Sequence, residues 1–348
     1  MSFWQNKRVL ITGHTGFKGS WLSFWLKFLE AEVCGYSLAP ETAPNLFENL
    51  KIENQIKSVI GDIRDLPYFE KVLQDFQPEI IFHLAAQSLV RKSYRIPIDT
   101  YTTNVIGTIN ILEAVRQVDS VKSVVIITTD KVYENKEWLW GYRETERLGG
   151  FDPYSNSKAC AELAVSAYRN SFFDGSECLI ATARAGNVIG GGDWSEDRLL
   201  PDVFRSLVFG EKLEIRNPYS IRPWQHVLEP LSGYLLLAEK LCDGEKDFAE
   251  AWNFGPSEED SKPVGWVLEE IRKIWVEDVN WEIAAGNQPH EANLLKLDSA
   301  KAKNKLHWLP KLSLTEAIEM TVDWHKNFKE NKDLIKLTKK QIEVYTQK

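Results

Sequence analysis

Short apolar runs separated by amphipathic stretches set the pattern of the first half of the chain. Residues 8–12 and 32–37 read as strands, with an amphipathic helix over 20–28 between them. Residues 66–74 predict a helix, 80–84 a strand, 103–118 a helix with apolar positions at helical spacing, and 123–128 a strand. Residues 153–170 and 178–184 repeat the alternation as helix and strand. Strands with continuous apolar runs are buried on both faces, and strands alternating with helices are joined by crossovers. The expectation is an α/β fold, a doubly wound parallel sheet covered by helices on both sides.

The character changes after Gly186. GNVIGGGDW (186–194) is a Gly-rich loop, LLPDVFRSLVFG (199–210) is helix-like, and LEIRN (213–217) predicts a short strand. Mixed elements continue to about residue 327. The expected organisation is a first domain over 1–186 and a smaller mixed α/β lobe over 187–327, with chain crossing back to the first domain. A polar, helix-compatible tail over 328–348 is expected to fray at its ends.

Composition narrows the function classes. The chain has 348 residues, 43% hydrophobic and 26% charged, with a formal net charge of -8. That balance argues against nucleic acid as a main partner, because phosphate backbones need clustered Lys and Arg. A small anionic ligand needs only a local positive site. Cys34, Cys160, Cys178 and Cys242 form no CxxC and predict free thiols in a reducing compartment. No run approaches the ~20 apolar residues that cross a bilayer. MSFWQNKRVLITG contains no apolar leader before its strand pattern. The expectation is a cytoplasmic protein with no membrane association.

ITGHTGFKGSWL (11–22) places Gly13, Gly16 and Gly19 between a strand and a helix. Glycines there allow a tight turn and close backbone approach, and a helix N-terminus offers free N–H groups to a pyrophosphate. The GxxGxxG spacing resembles the extended short-chain dehydrogenase/reductase superfamily, whose members modify nucleotide sugars on a Rossmann-type sheet. GDIRD (61–65), HLAAQS (83–88) and TNVIGT (103–108) fit the same resemblance. It implies cofactor contacts from Gly13, Thr15, Gly16, Phe17, Gly19, Asp62, Ile63, Leu84, Ala85, Ala86, Asn104 and Thr128, and from Tyr154 and Lys158. Ser37 stands where an acid usually holds the adenosine ribose of NAD. NAD is the expected cofactor and NADP is not excluded, with Arg64 and His14 as candidate contacts for a 2′-phosphate.

YSNSK places Tyr154 and Lys158 four apart at a helix start, on one face. An ammonium beside a phenol favours phenolate, which can take the proton of a substrate hydroxyl while hydride leaves for nicotinamide. Thr129 ends the strand twenty-five residues earlier, the spacing of the superfamily's Thr/Tyr/Lys set. Nucleotide-sugar 4,6-dehydratases follow that Thr with an Asp–Glu pair, because oxidation at C4 must be followed by proton removal at C5 and protonation of the C6 hydroxyl. Here the pair is Asp130 and Lys131. Asp130 is the expected acid. Lys131 is either a base of depressed pKa or a fixed cation beside the enolate.

The Asp–Lys departure, with GHTGFKGSWL, AAQSLVRKSY, TTDKVYEN, YSNSKACAE, ARAGNVIGGGDWSEDRLLPD and IRPWQHVLEPL, resembles the CDP-glucose 4,6-dehydratase group over about residues 4–325. That resemblance implies conversion of CDP-glucose to CDP-4-dehydro-6-deoxyglucose and water, an early step towards deoxysugars of bacterial surface polysaccharide (O-antigen). It also implies pairing of the helices at 103–118 and 153–170 in a homodimer, with a tetramer open. Asn187, Arg198, Arg222, Trp224 and His226 are candidates for the nucleotide side, and Gln87, Ser88 and Arg91 for the sugar side. Asp193 reads as a turn residue, His83 as a satisfied core histidine. No metal-ligand spacing occurs, and the chemistry needs none. Other readings stay open: an epimerase, which would not need Asp130 and Lys131 as an acid/base pair, a 4,6-dehydratase of another nucleotide sugar, and a non-catalytic NAD(P)-binding regulatory protein.

Overall fold

The computed structural model describes residues 2–275, 281–284 and 294–348. The early apolar runs form β1 (Arg8–Thr12), β2 (Glu32–Ser37), β3 (Lys57–Ile60), β4 (Ile80–His83), β5 (Ser123–Ile127) and β6 (Leu179–Ala185). Later strands are β7 (Asn187–Ile189), β8 (Glu214–Ile215), β9 (Ile221–His226), β10 (Ala251–Phe254), β11 (Ser261–Pro263) and β12 (Glu282–Ile283). Among the described residues, seven strands make one parallel sheet in the order β10-β6-β5-β4-β1-β2-β3. Strand order reverses between β1 and β4, so the crossovers leave on opposite faces and a crevice opens at the carboxyl ends of those strands.

Successive side chains point to opposite faces, which sorts each strand between two cores. Val9, Ile11, Ile80, Phe82, Val125 and Ile127 belong to one. Leu10, Ile81, Val124 and Ile126 belong to the other. Helices α1 (Phe17–Phe28), α2 (Leu66–Phe76), α3 (Gly107–Val115), α4 (Pro153–Phe172) and α5 (Leu228–Cys242) contribute to these two layers. Helix α1 begins three residues before the predicted start, at the second residue of GFKG. The predicted helix at 103–118 is a longer composite: Pro97–Tyr101, a π turn at Thr102–Ile106, then α3. The edge strand β3 is absent from the sequence reading, because KSVI is only partly buried and carries no strong pattern.

Strands β9, β7 and β11 form a separate three-stranded sheet, and β8 pairs with β12. Strand β10 pairs in parallel with β6 at the edge of the main sheet. The tail helix α6 (Leu334–Gln347) is docked rather than frayed. Ile342 and Tyr345 are buried, Tyr345 Oη donates to Glu229 Oε2 at 2.9 Å, and its ring meets Trp25 edge-on.

Candidate active site

The strand β5 delivers Thr128 and Thr129 to the crevice, and the chain then turns through a 3₁₀ segment, Asp130–Val132. The turn, not a strand, sets the directions of the acid and the amine. Asp130 is buried, while Lys131 is half-buried, and both line a cavity of about 830 Å³. Asp130 Oδ1 accepts from Thr129 Oγ1 at 3.0 Å, and Oδ2 is buried without a partner. Burial pushes this carboxyl above its ordinary range, against the charges of Lys131, Arg222 and Lys18 and the Thr129 hydrogen bond. A side chain at Gly186 would place Cβ 3.1 Å from Asp130 Oδ2 and from Pro223 Cγ, so the glycine leaves the acid its space.

Helix α4 supplies the second set. Asp152 caps it through Ser155 N at 3.0 Å, Pro153 occupies the first turn, and Gly150 at φ +89° packs against the Ser155 backbone, where a Cβ would lie 2.4 Å from Ser155 C. Tyr154 is therefore fixed in the first turn, and its hydroxyl is hydrogen-bonded to Thr129. Thr129 touches both the phenol and the acid.

One electrostatic expectation fails. Tyr154 is pushed up to about 12 by burial, with the Thr129 hydrogen bond and Arg198 opposing, rather than held down by Lys158. Lys158 Nζ donates to the Ile127 carbonyl at 3.0 Å, and burial lowers it to about 8. Desolvation of the phenolate outweighs the charges that favour it.

The glycine loop is a cradle. Gly13 sits at φ +77°, and a Cβ there would lie 2.7 Å from Ala85 N. A Cβ at Gly19 would lie 2.0 Å from Gly13 O. No side chain caps α1, so its first-turn N–H groups face outward for an anion. Thr15 Oγ1 meets Ser37 Oγ at 2.9 Å. Arg64 is held by Asp62 at 2.6 Å and by Asp99 at 3.4 Å, and His14 is buried and lowered to about 4. Neither offers a free cation to a 2′-phosphate. The loop thus fits a dinucleotide, and the β2 end fits one without that phosphate.

Three other assignments change. Asn104 is fully buried, and its amide is used up: Oδ1 accepts from Gln87 N at 2.9 Å, and Nδ2 donates to Gln87 O at 3.0 Å and Ser157 Oγ at 2.8 Å. It braces the β4 end against α4 instead of reaching a cofactor. Gln87 bonds Thr100 and Leu89 and does not line the cavity. His226 is core: its Nδ1 accepts from Leu228 N, its ring meets Trp21, and burial lowers it to about 3.

Ser88, Asn187, Arg198, Arg222 and Trp224 do line the cavity. Arg198 bridges Asp193 at 3.2 Å and Ser88 Oγ at 3.0 Å, and Arg91 pairs with Asp197 at 3.0 Å. Asp62 and Ile63 sit beyond β3, with Ile63 buried. Leu84 N donates to Thr12 O, and Ala85 N donates to Thr12 Oγ1, while Ala86 and Phe17 are half-buried near the same strand end and loop. His83 bonds Thr12 and Thr108, as a satisfied core histidine does.

Lys18 was not among the predicted residues. It lines the cavity, carries no partner among the described residues, and is lowered to about 8 by burial and then by Arg198. Its signal was a lysine in the first turn of an otherwise apolar helix start.

The family model described as GDP-mannose 4,6 dehydratase matches residues 10–321. A CDP-glucose 4,6-dehydratase of Salmonella typhimurium is 52% identical, covering 99% of this chain and 97% of that one. A dTDP-glucose 4,6-dehydratase of Xanthomonas campestris is 26% identical over 91% and 92%. The structure of a Bacillus anthracis dTDP-glucose 4,6-dehydratase in complex with NAD superposes with a TM-score of 0.79 at 23% identity, covering 94% and 99%. A Thermus thermophilus UDP-glucose 4-epimerase complex with NAD gives 0.80 at 24%, covering 92% and 99%. The chain belongs to the GDP-mannose 4,6 dehydratase family, in the group of the CDP-glucose 4,6-dehydratases.

Proposed function

We propose that the protein removes water from CDP-glucose to give CDP-4-dehydro-6-deoxyglucose, using NAD. The observation that carries the reading is Asp130: a buried carboxyl whose hold on a proton burial strengthens, one oxygen unpartnered, hydrogen-bonded to the same Thr129 that holds Tyr154. An epimerase has no use for a proton donor there. NAD, when bound, supplies a positive ring that accepts hydride from C4 and returns it to C6.

The chain's residues handle the protons and the charge. Thr129 orients the C4 hydroxyl, and Tyr154, as the phenolate that the positive ring of a bound NAD would favour, takes its proton. With C4 oxidised, the C5 proton is acidic; Lys131 either removes it as the neutral amine or, as a fixed cation, stabilises the enolate while a cavity water takes the proton, and a proton returns to C5 as C6 is reduced. Asp130 gives its proton to the C6 oxygen, which leaves as water. Lys18, and Arg198 with its bridge to Asp193, are cations that line the cavity, and they suit a diphosphate. Thr15–Ser37, the engaged Arg64 and the neutral His14 favour NAD over NADP.

The domain division at 1–186, 187–327 and 328–348 belongs to this reading, with the cavity between the first two. No helix among the described residues is long and apolar enough to cross a membrane. Four free thiols suit a reducing cytoplasm. The product suits deoxysugar synthesis for surface polysaccharide. The test is a panel of CDP-, dTDP-, GDP- and UDP-glucose assayed for 4-keto product.

A further inference from the structure

The catalytic turn is bracketed by a buried polar network that the chemistry above does not use. At one end, Thr128 Oγ1 donates to Glu162 Oε1 at 2.6 Å. At the other, Tyr133 Oη accepts from Arg184 Nη1 at 2.7 Å and donates to Asn253 Oδ1 at 2.8 Å. Glu162 and Arg184 join the two ends as a fork, Nε to Oε1 at 2.8 Å and Nη2 to Oε2 at 2.9 Å. Both side chains are 3% exposed. Thr182 Oγ1 donates to Glu162 Oε2 at 2.7 Å, and Arg184 Nη1 also reaches Glu144 O at 3.1 Å. The first and last side chains of the segment 128–133 thus end on one ion pair. Thr129, Asp130 and Lys131 lie between them.

A buried ion pair is weak evidence for stability, since apolar replacements of similar volume are often neutral or better. Its geometry is the informative part. Glu162 lies on α4 one turn past Lys158, on the face that carries Tyr154 and Lys158, and Arg184 lies on β6. The fork therefore ties the helix bearing the phenol to β6, and Thr128 and Tyr133 fasten the turn bearing the acid to that fork.

The two halves of the site depend on it unequally. Tyr154 has its own supports: the Asp152 cap, the Gly150 contact and the Thr129 hydrogen bond. The bonds that close the Asp130–Lys131 turn on Thr129 are long, Lys131 N to Thr129 Oγ1 at 3.3 Å and Val132 N to Thr129 O at 3.5 Å, and its firm bonds are Thr129 Oγ1 to Asp130 Oδ1 at 3.0 Å and, at its far end, Gly149 N to Val132 O at 2.8 Å. We infer that Glu162 and Arg184, acting through Thr128 and Tyr133, are positioning residues for the Asp130–Lys131 turn. Loosening them slows water loss more than it slows C4 oxidation.

The test begins with Tyr133→Phe, which removes one hydroxyl and leaves the ion pair and the stacking on Tyr142 in place. The expected result is a ~10–100-fold lower kcat for water loss, a KM for CDP-glucose within about twofold, and reduced nicotinamide accumulating during turnover. Thr128→Val should behave alike. Glu162→Gln leaves Arg184 unpaired and can fail to fold, so it is read only as a second variant. If folded, it also moves the Lys158 titration to lower pH, because the charge opposing its desolvation is gone. An unchanged kcat in Tyr133→Phe overturns the inference. So do an equal slowing of oxidation and water loss, and a rise in KM alone. The inference rests on the dehydratase reading; if the wild-type protein makes no 4-keto product, that reading is what fails.

Discussion

Asp130 carries a cost that the fold tolerates for its chemistry. Its folded pKa is raised, so the native state binds the proton more tightly than the unfolded chain. The stability this confers is present below the unfolded value and is lost as pH rises through the folded value. Asp130→Asn should therefore melt above the wild type at pH 8, with the difference shrinking towards pH 4. It should also lose ~10²-fold or more in water loss while retaining C4 oxidation. A thermal melt across pH with a product assay checks both; a variant less stable at pH 8 would contradict the assignment. Lys131 acts on Asp130 as a charge that opposes the burial. Lys131→Glu is expected to cut water loss ~10²-fold with oxidation intact, seen as accumulating reduced nicotinamide. Retained water loss would instead make the residue at this position the base. Residue identity was legible here from short strings such as TTDK and YSNSK. Saturation of hydrogen bonds was not. Asn104 matched a cofactor position, yet its amide is consumed by Gln87 and Ser157, which only the fold brings near it.

At the scale of elements, β1 and β2 fall where their apolar runs predict, because a strand buried on both faces writes itself as a continuous run. The edge strand β3 does not, since its residues are only partly buried and their pattern is diluted. Glu162 was equally hidden. An acid on the buried face of α4 signals a partner, but the partner is Arg184 on another element, 22 positions later. The tail shows the same limit. A polar, lysine-rich segment predicts fraying, whereas Leu334, Ile342 and Tyr345 form one buried stripe at helical spacing. Ile342→Ala is expected to cost about 2–5 kcal/mol, measured by denaturant unfolding. A cost near zero would restore the frayed tail.

At the scale of the molecule, the sheet and the lobe enclose the cavity, and the outer faces of two helical stretches carry a second expectation. Ile98, Ile106 and Leu163 are exposed at 77%, 47% and 58%. They lie on the 97–115 stretch and on α4, which meet through Tyr101 Oη and Asn156 Oδ1 at 2.8 Å. Large apolar side chains exposed on two neighbouring helical stretches suit an interface, and we expect a homodimer built on them. Light scattering at micromolar concentration should give twice the 40.0 kDa chain mass, and Leu163→Glu should return it to the monomer. A monomeric wild type would remove the dimer from the account. The most direct test of the whole reading is the product itself. The protein is incubated with NAD and, in turn, CDP-, dTDP-, GDP- and UDP-glucose, and alkali-sensitive 4-keto absorbance is followed with Asp130→Asn as control. The account predicts the signal with CDP-glucose and its loss in the variant. No 4-keto product from any of the four sugars, or an undiminished signal in Asp130→Asn, would contradict it.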